Sequence, residues 1–302
     1  MSIQNIRVTF DYQNERLDVY LTHILADIPS RSFVKRLIDS GHVRVNEVIA
    51  KAHHKVAAGE DVSVEIPQNF LQPQHVEAED IPLDIFYEDE HIFVINKPVG
   101  MTVHPAKGCY SGTLVNALLH HTKELSDMND ETRPGIIHRL DKETSGLMLV
   151  AKNNIAHARL ARQFQRHTIV KHYVALVEGE MEFDEGIVDL PLGRHKREFD
   201  KRAVRKDDEE AKEAVTLYKV IKRGKGATFV SLFPKTGRTH QLRVHMSYLR
   251  HPILGDDKYG HPSTFHRLAL HAKSIAFDHP VSRVRMEVSS VTPPEFIARI
   301  KG

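Results

Sequence analysis

Between two apolar runs, Ile136-Ile137 and Leu147 to Ala151, the sequence sets Arg139, Asp141, Lys142, Glu143, Thr144 and Ser145 in one polar turn. Strands on both sides would hold the turn's side chains on rigid supports. Asp141 sits among cationic and hydroxyl neighbours. A carboxylate beside cations is favoured in its charged form, and in that form it can attack an electrophilic carbon or take a proton. The same composition also suits a solvated hairpin loop. The order of the residues and their surroundings therefore carry the argument.

The surroundings are basic. From Arg133 to Tyr173 there are eight Lys or Arg against Asp141 and Glu143, a local charge of +6. An enzyme for small neutral substrates has no need of such a patch, whereas a duplex or folded RNA does. The whole chain carries only +2 over 302 residues, so nucleic-acid affinity must come from local patches. A second patch runs from Arg194 to Lys206, with seven Lys or Arg against two acids and Phe199 among them. It reads as a long, mobile loop joining strands, suited to clamping RNA.

The run His138-Arg139-Leu140-Asp141-Lys142-Glu143-Thr144-Ser145-Gly146-Leu147-Met148-Leu149-Val150-Ala151-Lys152 resembles the signature of the RluA-type RNA pseudouridine synthases. Three other stretches are similar to the same family. They are Asn96-Lys97-Pro98-Val99-Gly100-Met101-Thr102-Val103-His104-Pro105, Lys171-His172-Tyr173-Val174-Ala175-Leu176-Val177, and Thr236-Gly237-Arg238-Thr239-His240-Gln241-Leu242-Arg243-Val244-His245. His251-Pro252-Ile253-Leu254-Gly255-Asp256-Asp257-Lys258-Tyr259-Gly260 continues the pattern. The resemblance implies that Asp141 is the catalytic residue. It implies that Tyr173 stacks on the target base and acts in proton transfer, and that Arg243 pairs with Asp141, with Arg238 as the alternative partner. A bidentate arginine would fix the carboxylate's direction. Arg139 would take the place of an extruded uridine in the stack, and Arg238 and His240 would face RNA.

Residues 15 to 66 are similar to the S4 RNA-binding domain, through Arg16-Leu17-Asp18, Ser30-Arg31-Ser32 and Gly41-His42-Val43-Arg44-Val45-Asn46. That likeness nominates Arg31, Lys35, Arg36 and Arg44 as RNA contacts. The charge agrees in sign, since Arg31 to Lys55 carries +4 while the rest of this segment is acidic. The expected organisation is an S4-like domain over 1–67, an acidic extended linker over 68–82, and a catalytic domain over 83–302. The linker expectation rests on seven acids and no Lys or Arg between Gln68 and Glu90.

The elements follow from periodicity. Val8 to Phe10 reads as a strand, Glu15 to Leu25 as a helix, and Ser30 as the cap of a second helix ending at Gly41. Thr113 caps a helix with Leu114, Leu118 and Leu119 inward. Asn153 to His167 reads as a helix with Ile155, Leu160 and Phe164 on its apolar side and Arg159, Arg162 and Arg166 outside. Strands are expected at Ile169–Gly179, Thr228–Phe233, Arg267–His271, Ile275–Phe277 and Val281–Val288. The resemblance implies an α+β fold class, with a mostly antiparallel sheet, flanking helices and a small α/β domain in front.

The remaining bulk features are those of a globular protein, with 41% hydrophobic and 27% charged residues. The one cysteine, Cys109, excludes an internal disulfide and suits a reducing compartment. The first residues lack an apolar signal core and no run reaches membrane-spanning length, which points to the cytoplasm. The 21 histidines are scattered, without His-Glu-x-x-His, so no metal is expected. The expected activity is isomerisation of uridine to pseudouridine by a monomer without cofactor or membrane. The resemblance is strongest to the RluD-type branch, implying large-subunit ribosomal RNA at helix 69, positions 1911, 1915 and 1917. Alternatives are the same reaction on transfer RNA, a non-catalytic ribosome-assembly protein that binds RNA, and a metal-dependent hydrolase.

Overall fold

The computed structural model describes residues 2–25, 31–67, 76–106, 109–128, 132–198 and 200–301. The chain divides into two compact units, Met1–His75 and Val76–Gly302.

In the first unit the strands β1 (Ser2–Arg7), β2 (Val43–Val45), β3 (Val48–Ile49) and β4 (Asp61–Ile66) form an antiparallel sheet in the order β1-β4-β2-β3. Alternation in β4 turns Val62, Val64 and Ile66 inward, under the helices α1 (Leu17–Ile24) and α2 (Arg31–Asp39). Leu17, Leu21, Val34, Leu37 and Ile38 close this core. The first strand lies earlier than its apolar pattern indicates. Val8 leaves the sheet and Phe10–Tyr12 make a 3-10 turn, because all six residues of β1 pair with β4 whatever their own polarity. Ser30, expected as a helix cap, falls outside the described residues.

The second unit is built on a nine-stranded sheet. Its strands are β5 (Ile85–Glu88), β6 (Ile92–Lys97), β7 (Ser145–Ala151), β8 (Val170–Glu178), β9 (Glu185–Asp189), β12 (Val215–Gly224), β13 (Ala227–Pro234), β14 (Leu270–Asp278) and β15 (Arg285–Ser289). The order is β5-β6-β7-β14-β8-β13-β12-β9, with β15 added on β14. One face of β6 and β7 packs Phe93, Met148 and Val150 against α3 (Leu114–His121). The other packs Ile92, Leu147 and Leu149 against α4 (Asn154–Gln165). Buried on both faces, β7 needs its continuous apolar run. Thr113 caps α3 in a reciprocal capping box with Asn116.

Every pairing in this sheet is antiparallel except one. β7 and β14 run parallel for two residue pairs, Ser145 with His271 and Gly146 with Ala272. This seam joins the half of the sheet that carries the polar turn to the half that carries Tyr173. Gly146 has φ +117°, and a Cβ there would stand 2.3 Å from the Ala272 carbonyl oxygen. Gly146→Ala is therefore expected to cost about 3 kcal/mol or more, read as a lowered urea midpoint with unchanged slope.

Several expectations need correction. Residues 76–82 are not free linker. Val76 is buried, Glu79 accepts the Gly112 N–H through its carboxylate, and Asn116 donates to the Glu77 carbonyl. Their acidity serves local contacts, and residues 68–75 lie outside the described ones. Ile136 makes only a single bridge to Val150, so the run before the polar turn is not a strand. Ile155 is 60% exposed, and Ala156, His157 and Leu160 form the buried side of α4. Its position right after the Asn153 cap turns Ile155 away from the sheet.

The basic stretch 194–206 is a paired hairpin, β10 (Leu192–Arg194) with β11 (Arg202–Val204), closed by Lys201 on Glu198. Phe199 lies outside the described residues. Leu270 to Asp278 is one strand rather than two, and residues 281–284 form a turn before β15. The C-terminal α6 (Pro294–Lys301) buries Phe296 and Ile300 against the sheet. Among the described residues no helix is long and apolar enough to cross a membrane.

Candidate active site

The polar turn is held from beneath by two groups. Lys97 is fully buried at the end of β6 and donates to the carbonyls of Pro98, Met101 and Lys142 at 2.7, 2.9 and 3.1 Å. The Gly100 N–H bonds to the Lys142 carbonyl as well. Burial lowers the Lys97 ammonium to about 8 against the pull of Glu143 and Asp141. His138 accepts the Leu149 N–H on Nε2 at 2.9 Å, tying the turn's start to β7. Burial and the Lys171 cation push His138 down to about 3, so it stays a neutral acceptor.

Asp141 thus stands on a braced turn, its side chain 21% exposed. Across from it is α5 (Gln241–Tyr248), entered through His240 in the left-handed region at φ 57°. Gln241 sets that entry. Its oxygen accepts the Arg238 N–H and the Thr236 hydroxyl, and its amide donates to Val215 and Thr216. The left-handed residue lets the chain turn sharply and present Arg243 inward.

Arg243 is buried among three carboxylates. Its Nε and Nη2 donate to Asp256 at 2.8 and 2.7 Å, Nη2 reaches Asp257 at 3.0 Å, and Nη1 stands 3.6 Å from Asp141. The two-pronged contact expected for Asp141 goes instead to Asp256, which is fully buried and also accepts the N–H groups of Lys258 and Tyr259. Burial would lower the guanidinium's affinity for its proton, but the Asp256 hydrogen bonds and the surrounding carboxylates raise it overall. For Asp256, burial raises the carboxyl, and Arg243 more than reverses this, leaving it below the ordinary carboxylate range. Arg243 is therefore a rigid cation, locked on one side and offering Nη1 to Asp141 on the other.

Tyr173, on β8, lines a small cavity of ≈ 80 Å³ together with Asp141, Arg139, Lys171, Arg238, His240 and Arg243. Burial, with the charge of Asp141, raises the Tyr173 phenol, so it is a neutral ring and a hydroxyl donor at pH 7. His240 stands 4.0 Å from Asp141 through Nε2, and its Nδ1 meets the Tyr259 hydroxyl at 2.7 Å. Burial first, then the Arg243 and Lys258 charges, lower His240 and keep it neutral. The Tyr259 oxygen already accepts the Arg202 N–H, so its proton goes to His240 Nδ1, which leaves the Nε2–H facing Asp141. Arg139 is exposed at the cavity's edge, and exposed Arg238 donates through Nε to the Glu213 carbonyl.

Six expected site residues, Asp141, Tyr173, Arg243, Arg139, Arg238 and His240, thus meet at one cavity. The other four belong to the first unit. There Arg31 donates through Nε and Nη2 to Asp18 at 3.1 and 2.7 Å, Arg36 lies over the Phe33 ring, and Arg44 reaches the Glu47 carbonyl, while Lys35 is exposed. Burial raises buried Asp18, but Arg16 and Arg31 bring it below its ordinary value. Lys97, His138, Lys171, Asp256 and Tyr259 were not singled out from the sequence. All five lie inside motif runs already quoted, and that position was the available signal. Among the described residues no group of three or more His, Cys, Asp or Glu could hold a metal ion.

The family model described as RNA pseudouridylate synthase matches residues 91–248, a span that includes the polar turn, Tyr173 and Arg243. The chain belongs to the RNA pseudouridylate synthase family. A pseudouridylate synthase is an isomerase acting on RNA, and this one carries an S4 domain matched over residues 15–62. It is similar to an uncharacterised RNA pseudouridine synthase of Bacillus subtilis, 41% identical over 99% of this chain and 97% of that protein. It is also similar to proteins named ribosomal large subunit pseudouridine synthase D. That of Zymomonas mobilis is 41% identical over 98% of this chain and 96% of its own. Among solved structures, human RNA pseudouridylate synthase domain containing 1 superposes with a TM-score of 0.60. It is 28% identical, covering 72% of this chain and 86% of that one. Within the matched span, the polar turn and α5 bring the Asp141 carboxylate and the Arg243 guanidinium to one cavity.

Proposed function

We propose that this synthase converts uridine to pseudouridine in large-subunit ribosomal RNA, with the helix 69 loop, positions 1911, 1915 and 1917, as target. Asp141 is the attacking carboxylate, Arg243 directs it, Tyr173 stacks on the base, and Arg139 fills the gap left in the RNA stack. The observation that carries the reading is the 3.6 Å approach of Arg243 Nη1 to Asp141 at a cavity also lined by Tyr173. Asp141 bonds to C1′ as the N1–C1′ bond breaks with its electron pair left on the uracil. The base then turns, C5 bonds to C1′ as the Asp141–C1′ bond breaks and frees the carboxylate, the C5 proton is lost and N1 is protonated. A cavity that retains the free base is what this sequence of steps requires.

The first unit contributes RNA affinity through Lys35, Arg36 and Arg44, with Arg31 held ready on Asp18. Arg238 and His240 contact the nucleotide at the cavity. The protein works as a cytoplasmic monomer without metal or cofactor. The ribosomal target is supported by the relatives' names and by the S4 match. The test is a map of pseudouridine, by carbodiimide-induced reverse-transcription stops, in ribosomal and transfer RNA from cells lacking this gene. Stops lost from helix 69 are expected. Stops lost from transfer RNA would overturn the target and keep the chemistry. No lost site would favour a non-catalytic RNA-binding protein.

A further inference from the structure

Two lysines stand near the polar turn, Lys97 fully buried and Lys171 partly so, and their hydrogen bonding differs. Lys97 has three carbonyl acceptors for its three N–H groups and is saturated. Lys171, at the start of β8, donates to one carbonyl, that of Thr236 at 2.9 Å. Its ammonium makes no ion pair among the described residues, and the charge that acts on it is that of another cation, Arg238. An ammonium with unused donors, facing a cavity and a like charge, costs free energy in the empty protein. Binding an anion there relieves the cost.

The position indicates which anion. Lys171 and Tyr173 are two residues apart on one strand, so they share a face roughly 7 Å apart, and both line the cavity that Asp141 lines. A uracil whose sugar end lies at Asp141 and whose face lies on Tyr173 would turn its far edge toward Lys171. The far edge carries carbonyl oxygens, over which the charge of a detached uracil is spread.

Resting on the pseudouridine synthase reading, we propose that Lys171 is a catalytic cation that binds the uracil anion released when the N1–C1′ bond breaks. The electron pair of that bond passes to the ring, Lys171 donates a hydrogen bond to the C4 carbonyl oxygen without losing its proton, and the charge disappears when C5 rejoins C1′ and its proton leaves. A lysine only donates, so the same contact favours the uracil carbonyl over the amino group of cytosine. The groups facing Lys171 are Arg238 from the segment before α5, His138 from the polar turn and Tyr173 on its own strand. Asp141, Arg139, His240 and Arg243 lie around the cavity. Burial, then Arg238, lowers Lys171 to about 8. The protonated form acts, so turnover falls as pH rises through that value.

The experiment is single-turnover kinetics of the full chain on a helix 69 RNA, with RNA binding measured in parallel, from pH 6.5 to 9.5. Lys171→Met is expected to lower the rate at pH 7 by roughly 10²-fold with RNA affinity within about threefold of wild type. Lys171→Arg is expected to keep most of the rate, which also controls for folding, and to reduce the alkaline fall to the part that Lys97, which titrates in the same range, contributes. Four results would overturn the proposal: an unchanged rate in Lys171→Met, a loss confined to RNA affinity, a wild-type rate that climbs above pH 8, or an alkaline fall in Lys171→Arg of the same size and midpoint as in wild type. A wild-type protein inactive on every RNA would instead reject the synthase assignment on which the proposal rests.

Discussion

Replacing Asp141 by asparagine will leave RNA affinity within about twofold of wild type and lower pseudouridine formation by roughly 10⁴-fold or more. Asparagine keeps the size of the side chain and removes its charge and nucleophilicity. Asp141 is the only carboxylate among the described residues lining the cavity, so no neighbour can substitute for it. The fold should tolerate the change within about 1 kcal/mol, because Arg243 keeps its contacts to Asp256 and Asp257 and the turn keeps its supports. Asp257 provides the control. It bonds to the same guanidinium but is 62% exposed and lies outside the cavity lining. Asp257→Asn should retain activity within a few-fold. Product formed by Asp141→Asn at more than a few percent of the wild-type rate would remove the nucleophile assignment. An equal loss in Asp257→Asn would mean that the charge around Arg243 matters more than which carboxylate attacks.

The convergence of Asp141, Tyr173 and Arg243 was legible because each lies in a long motif run, and the α+β class with its mostly antiparallel sheet was legible through the family resemblance. What escaped has a common physical cause. Arg243 shows in the sequence as a partner for Asp141, yet its strongest bonds go to Asp256, because pairing is settled by which carboxylate is buried on the fold. Lys97 reads as part of a Pro/Gly turn, and only three-dimensional closure brings the Lys142 carbonyl to its ammonium. The strand expected at Val8 to Phe10 moved to Ser2–Arg7 since a partner strand can recruit residues without an apolar pattern of their own. The stretch 194–206 looked like a loop by composition, and its hairpin is made by pairing that composition does not report. Ile155 looked inward by type and is turned out by its place at the helix start.

Removing Arg243 tests a different part of the same architecture. Arg243→Met will destabilise the protein by about 3–5 kcal/mol at pH 7, since fully buried Asp256 loses the cation that compensates its charge. The pH dependence should change sign. In wild type the Asp256 carboxyl is depressed, so its contribution is present above the unfolded value of about 3.9 and is lost as pH falls through the lower folded value. Without Arg243, burial, the largest influence, is opposed by little more than the Lys258 and Tyr259 N–H groups and raises Asp256, so the penalty is largest at neutral pH and shrinks as acid protonates the group. Urea denaturation at pH 7 and pH 5 distinguishes the two curves. Asp256→Asn added to Arg243→Met removes the orphaned charge and keeps an oxygen for the Lys258 and Tyr259 N–H groups, so most of the stability should return. Activity should not return with it, staying roughly 10²–10³-fold below wild type, because Asp141 still lacks the cation 3.6 Å away. If activity came back together with stability, Arg243 would be a structural strut, and direction of the Asp141 carboxylate would fall to the neutral His240 Nε2–H at 4.0 Å.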